Sequence, residues 1–247
     1  MQTSGNTILI TGGGSGIGRE LARRWHDLDN TVIIAGRTPD SLEETAKGYD
    51  RIHTMTLDVA KPGEVERFAT DIVSRFPELN VLFNNAGVMR FEDITASRDL
   101  SDATAEVTIN LLGPIRLTDA LVDHLKVSDH AVIVNVTSGL AFVPQPKAST
   151  YSATKAALHS YTLSLRQQLE GVVEVIELVP PGVQTELTPG QSEREGYMPL
   201  DAYIQEVMTL FQQQPTPQEV CVEFVRPFRN AEKDGKLSEF ITMLANR

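Results

Sequence analysis

The chain has 247 residues, of which 22 are Lys or Arg and 33 are Asp or Glu, so its formal net charge is −11. This acidic balance argues against a nucleic-acid binder and against attachment to an anionic membrane by charge, because both need a basic surface. Hydrophobic residues make up 41% and charged residues 22%, which is ordinary globular usage and argues against global disorder. The single cysteine, Cys221, excludes an intrachain disulfide and leaves a cysteine-based zinc site short of ligands.

The first residues of the sequence are polar, and the apolar run that follows, residues 8–10, is short. A secretory signal needs an apolar region of roughly 7–15 residues, and a membrane span needs about 20. We therefore expect a cytoplasmic protein without membrane contact.

Short apolar segments alternate with segments of helical periodicity. The apolar segments predict buried strands at residues 7–11, 31–35, 52–57, 79–83, 131–136 and 172–179. Strands that alternate with helices predict a parallel sheet. The predicted fold class is α/β, a single doubly wound Rossmann-type parallel sheet with helices on both faces.

Three regions complete the predicted organisation. Pro114 lies inside the helical pattern of residues 107–125, so we expect a kink or two helices that meet there. Residues 184–199 are rich in Gly, Pro and polar side chains, which favours a long functional loop over a domain linker. We expect one domain over residues 1–247, with a substrate loop and helix at about 184–213, a helical C-terminal tail at about 217–247, and no obvious seventh strand.

A glycine-rich turn follows the first predicted strand and precedes a helix. Gly12, Gly16 and Gly18 have the spacing G-x-x-x-G-x-G, which differs from the common G-x-G-x-x-G fingerprint. A helix N-terminus binds anions, and glycine lets the backbone approach a pyrophosphate. The turn predicts a dinucleotide site, and a flexible loop is the alternative.

Arg37 follows the second predicted strand, nineteen positions beyond Gly18. An acidic side chain at this place would bind the ribose 2′-hydroxyl of NAD, whereas a guanidinium suits a 2′-phosphate. We therefore expect NADP(H) to be favoured over NAD(H), with a solvated surface charge as the alternative.

Polar residues also follow the third and fourth predicted strands. Asp58 is placed to accept a hydrogen bond from an adenine amino group or to cap the next helix. Residues 84–87, Asn-Asn-Ala-Gly, either let a cofactor lie close to the sheet or form an ordinary turn.

Tyr151 and Lys155 are an i, i+4 pair, so both side chains lie on one face of a predicted helix. A neighbouring ammonium favours the phenolate, so we expect Lys155 to lower the pKa of Tyr151. Such a phenol exchanges a proton with a carbonyl or alcohol oxygen, and the hydroxyl of Ser138 is placed to hold that oxygen. Pairs of this kind occur by chance on surface helices, and here the strand-end serine and the predicted dinucleotide sheet favour the catalytic interpretation.

Together, these motifs resemble the short-chain dehydrogenases/reductases, over about residues 7–185. Residues 136–142 and 156–160 look most like the branch of that family that includes a DltE-type oxidoreductase. The motifs, in chain order, are the glycine turn at residues 11–18, Asn-Asn-Ala-Gly at 84–87, Ser138, Tyr151 with Lys155, and Pro181-Gly182.

The resemblance implies a catalytic tetrad of Asn110, Ser138, Tyr151 and Lys155. In that reading Tyr151 is the proton donor or acceptor and Ser138 positions the substrate oxygen. Lys155 binds the nicotinamide ribose, and Asn110 holds a water that links Lys155 to solvent. The full set of expected cofactor contacts is Gly12, Ser15, Gly16, Ile17, Gly18, Arg37, Asp58, Val59, Asn85, Ala86, Gly87, Tyr151, Lys155, Pro181, Gly182, Val183 and Thr185.

The expected activity is an NADP(H)-dependent hydride transfer between nicotinamide and a ketone, an aldehyde or a secondary alcohol. The alternatives are a non-catalytic nucleotide-binding sensor or scaffold of the same fold, and an epimerase or dehydratase. No two of the five histidines form an i, i+4 pair, so we expect no metal site. We expect a homodimer or other homo-oligomer, although residues 232–247 contain only one glycine, Gly235, where many relatives have a Gly-rich tail that builds a tetramer.

Overall fold

Seven parallel strands form one sheet in the order β3-β2-β1-β4-β5-β6-β7. The structure is a computed structural model that describes residues 1–246. The strands are β1 Thr7–Thr11, β2 Thr31–Gly36, β3 Ile52–Thr56, β4 Leu79–Asn84, β5 Val132–Val136, β6 Glu174–Val179 and β7 Glu219–Cys221. The helices are α1 Gly16–Asp27, α2 Pro39–Ala46, α3 Pro62–Arg75, α4 Ser101–Val107, α5 Gly113–Leu125, α6 Ser149–Gln168, α7 Leu200–Phe211, α8 Arg226–Arg229 and α9 Leu237–Ala245.

Helices cover both faces of the sheet, because successive side chains of each strand point to opposite sides. Ile8 and Ile10 of β1 pack in the core layer that also holds Trp25 of α1. Leu9, between them, packs in the opposite layer, which holds Phe68 of α3. The predicted α/β class with a doubly wound parallel sheet is therefore confirmed.

The order in which the chain adds strands to the sheet reverses between β1 and β4. From β1 the chain builds outward through β2 and β3, and then returns to add β4 on the other side of β1. In open α/β sheets, ligands bind in the crevice at this switch point, beyond the carboxyl ends of the strands. The topology therefore places the glycine turn after β1 beside the end of β4.

The predicted helix over residues 107–125 consists of two helices. A π-helical turn at Thr108–Leu112 follows α4, and α5 begins at Gly113 with Pro114 in its first turn. The residues before Pro114 are also helical, so its missing N–H leaves out a hydrogen bond inside the helix, directly after the π-helical turn. We expected a kink or two helices that meet at Pro114, and the structure has a π-helical turn just before Pro114 that separates α4 from α5.

The expectation of a purely helical tail is wrong at its start. Residues 219–221 form β7, which pairs with β6 through Val220 and Leu178. This strand has three residues and a single fully buried one, Val220, which is too short to give a period-two pattern. None of the helices within residues 1–246 is both long enough and apolar enough to cross a membrane.

Trp25 gives a direct test of the packing between α1, β4 and α7. Its side chain is 0% exposed, and its ring lies 6.1 Å from that of Phe83 and 5.6 Å from that of Phe211, between centroids. We expect Trp25→Ala to lower the free energy of unfolding by about 3–5 kcal/mol, because the cavity cannot collapse fully. Denaturant titration measures this change.

Val127→Ala is the matched control, since Val127 is 83% exposed. We expect it to change the free energy of unfolding by less than about 0.5 kcal/mol. Equal losses for the two variants would contradict the packing described.

Candidate active site

A cavity of about 410 Å³ lies at the switch point, across the carboxyl ends of the central strands. Its lining contains every expected cofactor contact except Gly182, and every member of the expected tetrad except Asn110. The fold therefore brings together residues that are separated by up to about 170 positions in the sequence.

The glycine turn leaves no room for side chains against the end of β4. A Cβ on Gly18 would lie 2.3 Å from the carbonyl oxygen of Gly12, and a Cβ on Gly12 would lie 2.9 Å from the Cα of Ala86. Gly12 also has φ +68°, which L-residues rarely adopt. The turn therefore presents bare backbone and the N-terminus of α1 to the cavity.

Asn85 fastens the turn to β4. Its Nδ2 donates to the carbonyl oxygens of Thr11 at 2.8 Å and of Gly12 at 3.3 Å. In return, the Oγ1 of Thr11 accepts from the backbone N–H groups of Asn85 and Ala86, each at 3.1 Å. The Asn-Asn-Ala-Gly segment is therefore more than a turn, since it holds the glycine turn in place while lining the cavity.

Arg37 follows β2 directly and is exposed. It lines the cavity together with Thr38 and Ser41. Among the ion pairs of residues 1–246, none involves Arg37, whereas Arg98 and Arg229 lie within 2.7 Å of a carboxylate oxygen. A guanidinium without a carboxylate partner keeps its donors available for a phosphate.

Asp58 shapes the turn that follows β3, and its contact with an adenine amino group stays a prediction. Its Oδ1 accepts from the backbone N–H of Ala60 at 3.1 Å, which forms a tight turn before α3. The same residue lines the cavity next to Val59. The residue immediately before α3 is Lys61, so Asp58 shapes the approach to the helix rather than capping it.

Ser138, Tyr151 and Lys155 share the opposite wall of the cavity. Ser138 follows β5, and its Oγ accepts from the backbone N–H of Leu140 at 3.1 Å. The Nζ of Lys155 donates to the carbonyl oxygen of Val136 at 2.7 Å and lies 5.7 Å from the centroid of the Tyr151 ring.

Burial dominates the acid–base properties of this pair. It raises the pKa of Tyr151 to about 12, against the lowering effect of the Ser138 hydroxyl. Burial also lowers the pKa of Lys155 to about 8. The expected lowering of the Tyr151 pKa by Lys155 is thus wrong for this structure, because desolvation outweighs attraction to an ammonium that is turned toward Val136. The phenol is accordingly protonated at neutral pH.

Asn110 lies fully buried behind the cavity wall, in the π-helical turn. Its Oδ1 accepts from the backbone N–H of Val88 at 2.9 Å, and its Nδ2 donates to the carbonyl oxygen of Val88 at 2.8 Å. A Cβ on Gly87 would lie 3.4 Å from this Oδ1 and 3.7 Å from the Nζ of Lys155. Asn110 therefore holds the segment after β4 against Lys155. The water that the family resemblance assigns to it stays a prediction.

A second cavity, of about 800 Å³, also reaches Ser138 and Tyr151. The loop of residues 184–199 closes one side of it, and the C-terminal segment closes another. More than half of its lining residues are apolar or aromatic, namely Met89, Phe91, Leu140, Tyr151, Pro181, Leu187, Tyr197, Phe224, Val225, Phe228 and Leu244.

Gln191 lines both cavities and is a site residue that the sequence analysis missed. Its buried Nε2 donates to the carbonyl oxygen of Val183 at 2.8 Å and to the Oγ1 of Thr185 at 3.1 Å. It therefore ties the loop to two expected cofactor contacts. The only signal for it in the sequence is its place in the predicted functional loop, since glutamine carries no motif there.

A buried polar cluster lies beneath Ser138. Glu177 accepts from the Oγ1 of Thr137 at 2.6 Å and lies 2.7 Å from the Nδ1 of His159. Ligand atoms of His159, Glu177 and Glu219 lie within 4.8 Å of one another, the spacing of a metal site. Arg229, however, donates two hydrogen bonds to Glu219, at 2.7 and 2.8 Å, so protein groups already compensate that charge. The absence of a metal site stays a prediction.

Comparisons with known proteins agree with this geometry. The sequence profile of the short chain dehydrogenase family matches residues 6–196. The chain is 42% identical over 198 residues to the uncharacterized oxidoreductase DltE of Bacillus subtilis (strain 168), covering 79% of each protein. It is 33% identical over 186 residues to sulfoacetaldehyde reductase 2 of Chromohalobacter salexigens, covering 73% of this chain and 74% of that one.

A solved structure gives the same fold. A short chain dehydrogenase from Burkholderia cenocepacia J2315, in complex with NADP, superposes with a TM-score of 0.83 at 24% sequence identity. The match covers 99% of both chains, so it includes the C-terminal segment as well as the sheet.

Replacement of Lys155 tests the cost of its burial. The folded chain binds the lysine proton less tightly (pKa about 8) than the unfolded chain does (10.5). The penalty is complete below pH 8 and disappears as the pH rises to 10.5. We expect Lys155→Met to raise the free energy of unfolding at pH 7 by roughly 1–3 kcal/mol, a gain that shrinks toward pH 10.

Denaturant titrations at a series of pH values measure this difference. Lys47→Met is the control, because Lys47 is exposed and its one ion pair within residues 1–246 is with Glu44. A destabilised Lys155→Met variant, or a gain that does not depend on pH, would contradict the assignment.

Proposed function

The chain belongs to the short-chain dehydrogenase family, and from that premise we propose that it is an NADP(H)-dependent oxidoreductase acting on a ketone, an aldehyde or a secondary alcohol. The observation that carries the proposal is the meeting of the two cavities at Ser138 and Tyr151. One cavity has a glycine cradle suited to a dinucleotide, and the other has an apolar lining suited to an organic substrate.

The residues present fit a nicotinamide dinucleotide. The bare backbone of the glycine turn and the N-terminus of α1 suit the pyrophosphate, because a side chain at Gly12 or Gly18 would collide with protein atoms. Lys155 would hold the nicotinamide ribose, and Val183 and Thr185 would hold the carboxamide. A reduced nicotinamide held there would supply a hydride to the carbonyl carbon.

In the reductive direction, Tyr151 donates its phenolic proton to the carbonyl oxygen. The carbonyl π bond breaks as a C–H bond and an O–H bond form, and the product is an alcohol. The phenol is protonated at neutral pH, which a proton donor requires, since its ordinary pKa of about 10 is raised further by burial. The hydroxyl of Ser138 orients the oxygen that receives the proton, and the ammonium of Lys155 stabilises the phenolate that remains.

The buried tyrosine and lysine favour an enzyme over a nucleotide sensor. A protein that only binds nucleotide has no need for a protonated phenol beside a lysine whose burial carries a free-energy cost. An epimerase or dehydratase of the same fold is the remaining alternative. A screen of ketones and aldehydes for NADPH oxidation, with product analysis, distinguishes these activities.

We expect Tyr151→Phe to lower kcat at least about a hundredfold with any carbonyl substrate found, because it removes the proton donor but keeps the ring. NADPH binding, measured by calorimetry, should persist. Tyr161→Phe is the control on the same helix, since Tyr161 packs in the core layer away from the cavities. Normal turnover by Tyr151→Phe would refute the proposed mechanism.

We also propose that Arg37 selects NADP(H) over NAD(H). Its guanidinium has no carboxylate partner among residues 1–246, which favours binding of a 2′-phosphate. An NADP complex among the structural neighbours supports nicotinamide binding in this fold. We expect Arg37→Ala to lower the preference for NADPH over NADH about tenfold or more, because one charge-assisted contact to the 2′-phosphate is lost. Calorimetric titration of both cofactors measures the ratio.

Arg24→Ala on α1 is the matched control, since it removes another exposed arginine. Equal affinities for the two cofactors in the unaltered protein would contradict the proposal.

The single-domain division, homo-oligomeric assembly and cytoplasmic location stay predictions.

A further inference from the structure

The second cavity combines a mostly apolar lining with positive charge. Its lining contains two basic residues, Arg194 and Lys147, and one acidic residue, Glu195. We propose that this cavity binds carbonyl substrates whose other end carries an oxyanion, a carboxylate or a sulfonate, and that Arg194 recognises that group. The inference rests on the proposed function and adds the substrate class to it.

The loop holds Arg194 in a defined place. Its backbone N–H donates to the carbonyl oxygen of Gln191 at 3.2 Å, and its carbonyl oxygen accepts from the Nε2 of Gln184 at 3.3 Å. The loop itself is bound to the end of β6, because the N–H of Met198 donates to the carbonyl oxygen of Gly182 at 2.8 Å. The guanidinium is thus carried by an anchored segment rather than a free loop tip.

Two aromatic rings hold the guanidinium. Its central carbon lies 5.3 Å from the centroid of Tyr197 and 5.8 Å from that of Phe91, and its Nη1 donates to the hydroxyl of Tyr197 at 3.3 Å. Tyr197 in turn packs on Gly182, where a Cβ would come within 3.1 Å of the ring. This contact occupies one of the five N–H donors of Arg194, and the others remain available.

Arg194 has no carboxylate partner among residues 1–246, although it is half-buried and lies between Glu193 and Glu195 in sequence. Two other half-buried arginines are paired with carboxylates, Arg98 with Glu92 at 2.6 Å and Arg229 with Glu219 at 2.7 Å. The half-buried Arg116 and Arg166 instead donate to backbone carbonyl oxygens. A guanidinium held over aromatic rings beside an apolar cavity suits bidentate binding of an external oxyanion.

The charges also favour an anionic ligand against the background of the whole protein. The net charge of −11 repels anions at long range, so binding of an acid requires a local cation. The apolar side chains that line the cavity together with Tyr151 and Arg194 lower the local dielectric and strengthen that attraction. The fitting substrate therefore has a carbonyl at one end, an apolar middle and an oxyanion at the other end.

The test compares ω-oxo carboxylic acids of increasing chain length with their methyl esters, using NADPH oxidation by the full chain. Each acid and ester pair shares its aldehyde and apolar body and differs in the charge and the one methyl group at its far end. We expect the best acid to exceed its ester about tenfold in kcat/KM, and Arg194→Met to remove most of that difference. We expect Arg194→Lys to retain part of it. ω-Oxo sulfonates of the same length show which oxyanion is preferred.

The ester is the internal control for folding, since its kcat/KM should change little in Arg194→Met. Arg75→Met is the matched variant, because Arg75 also lies over a phenyl ring, 5.6 Å from the centroid of Phe76, but on α3. The inference is overturned if the esters are reduced as well as the acids, or if Arg194→Met lowers both equally.

A binding experiment separates this inference from the proposed activity. Calorimetry compares 4-methylbenzoate with 4-methylbenzamide in the unaltered protein and in Arg194→Met. If no aldehyde is reduced but benzoate binding depends on Arg194, the proposed reductase activity fails and the oxyanion site stands. If aldehydes are reduced without regard to charge, the proposed activity stands and the oxyanion site fails.

Discussion

The close contact between the glycine turn and the end of β4 fixes the position of everything else in the site. Two glycines leave room for that contact, and the amide of Asn85 closes it with hydrogen bonds to Thr11 and Gly12. β1 and β4 are the neighbouring strands at the switch point. The contact between the glycine turn and β4 therefore sets where the crevice opens. A side chain at either glycine would move β4, and with it the segment that Asn110 holds against Lys155.

On the opposite wall of the cavity, burial shifts the pKa values of Tyr151 and Lys155 and lowers the free energy of unfolding. Tyr151 and Lys155 are both nearly inaccessible, and desolvation moves their pKa values in opposite directions, to about 12 and about 8. Each shift favours the neutral form, although a lysine with a pKa of about 8 still holds its proton at pH 7, so the pair consists of a neutral phenol and an ammonium before a ligand arrives. This arrangement suits a site that meets a charged cofactor, because added charge in a low-dielectric wall has a large effect on the proton affinity of its neighbours.

The sequence predicted the parts of this protein that repeat a local pattern. Buried strands such as β1 and the i, i+4 pair of Tyr151 and Lys155 are visible without a structure, because period and spacing determine which side chains share a face. The three-residue β7 was missed, since it depends on pairing with β6 rather than on its own pattern. The pKa of Tyr151 was predicted in the wrong direction for a similar reason, because burial is a tertiary property.

The difference between local pattern and tertiary contact also explains why the cofactor site is easier to predict from the sequence than the substrate site. The cofactor site is built from one glycine turn and the ends of neighbouring strands, whereas the substrate cavity is closed by segments that are distant in sequence. Gly139 shows the dependence, since a Cβ there would lie 2.8 Å from the side chain of Val225. β7 places that C-terminal segment, and the paired Glu219 and Arg229 fasten it. Substitutions in the C-terminal segment can therefore reshape the substrate cavity, while the contact between the glycine turn and β4 keeps the cofactor crevice intact.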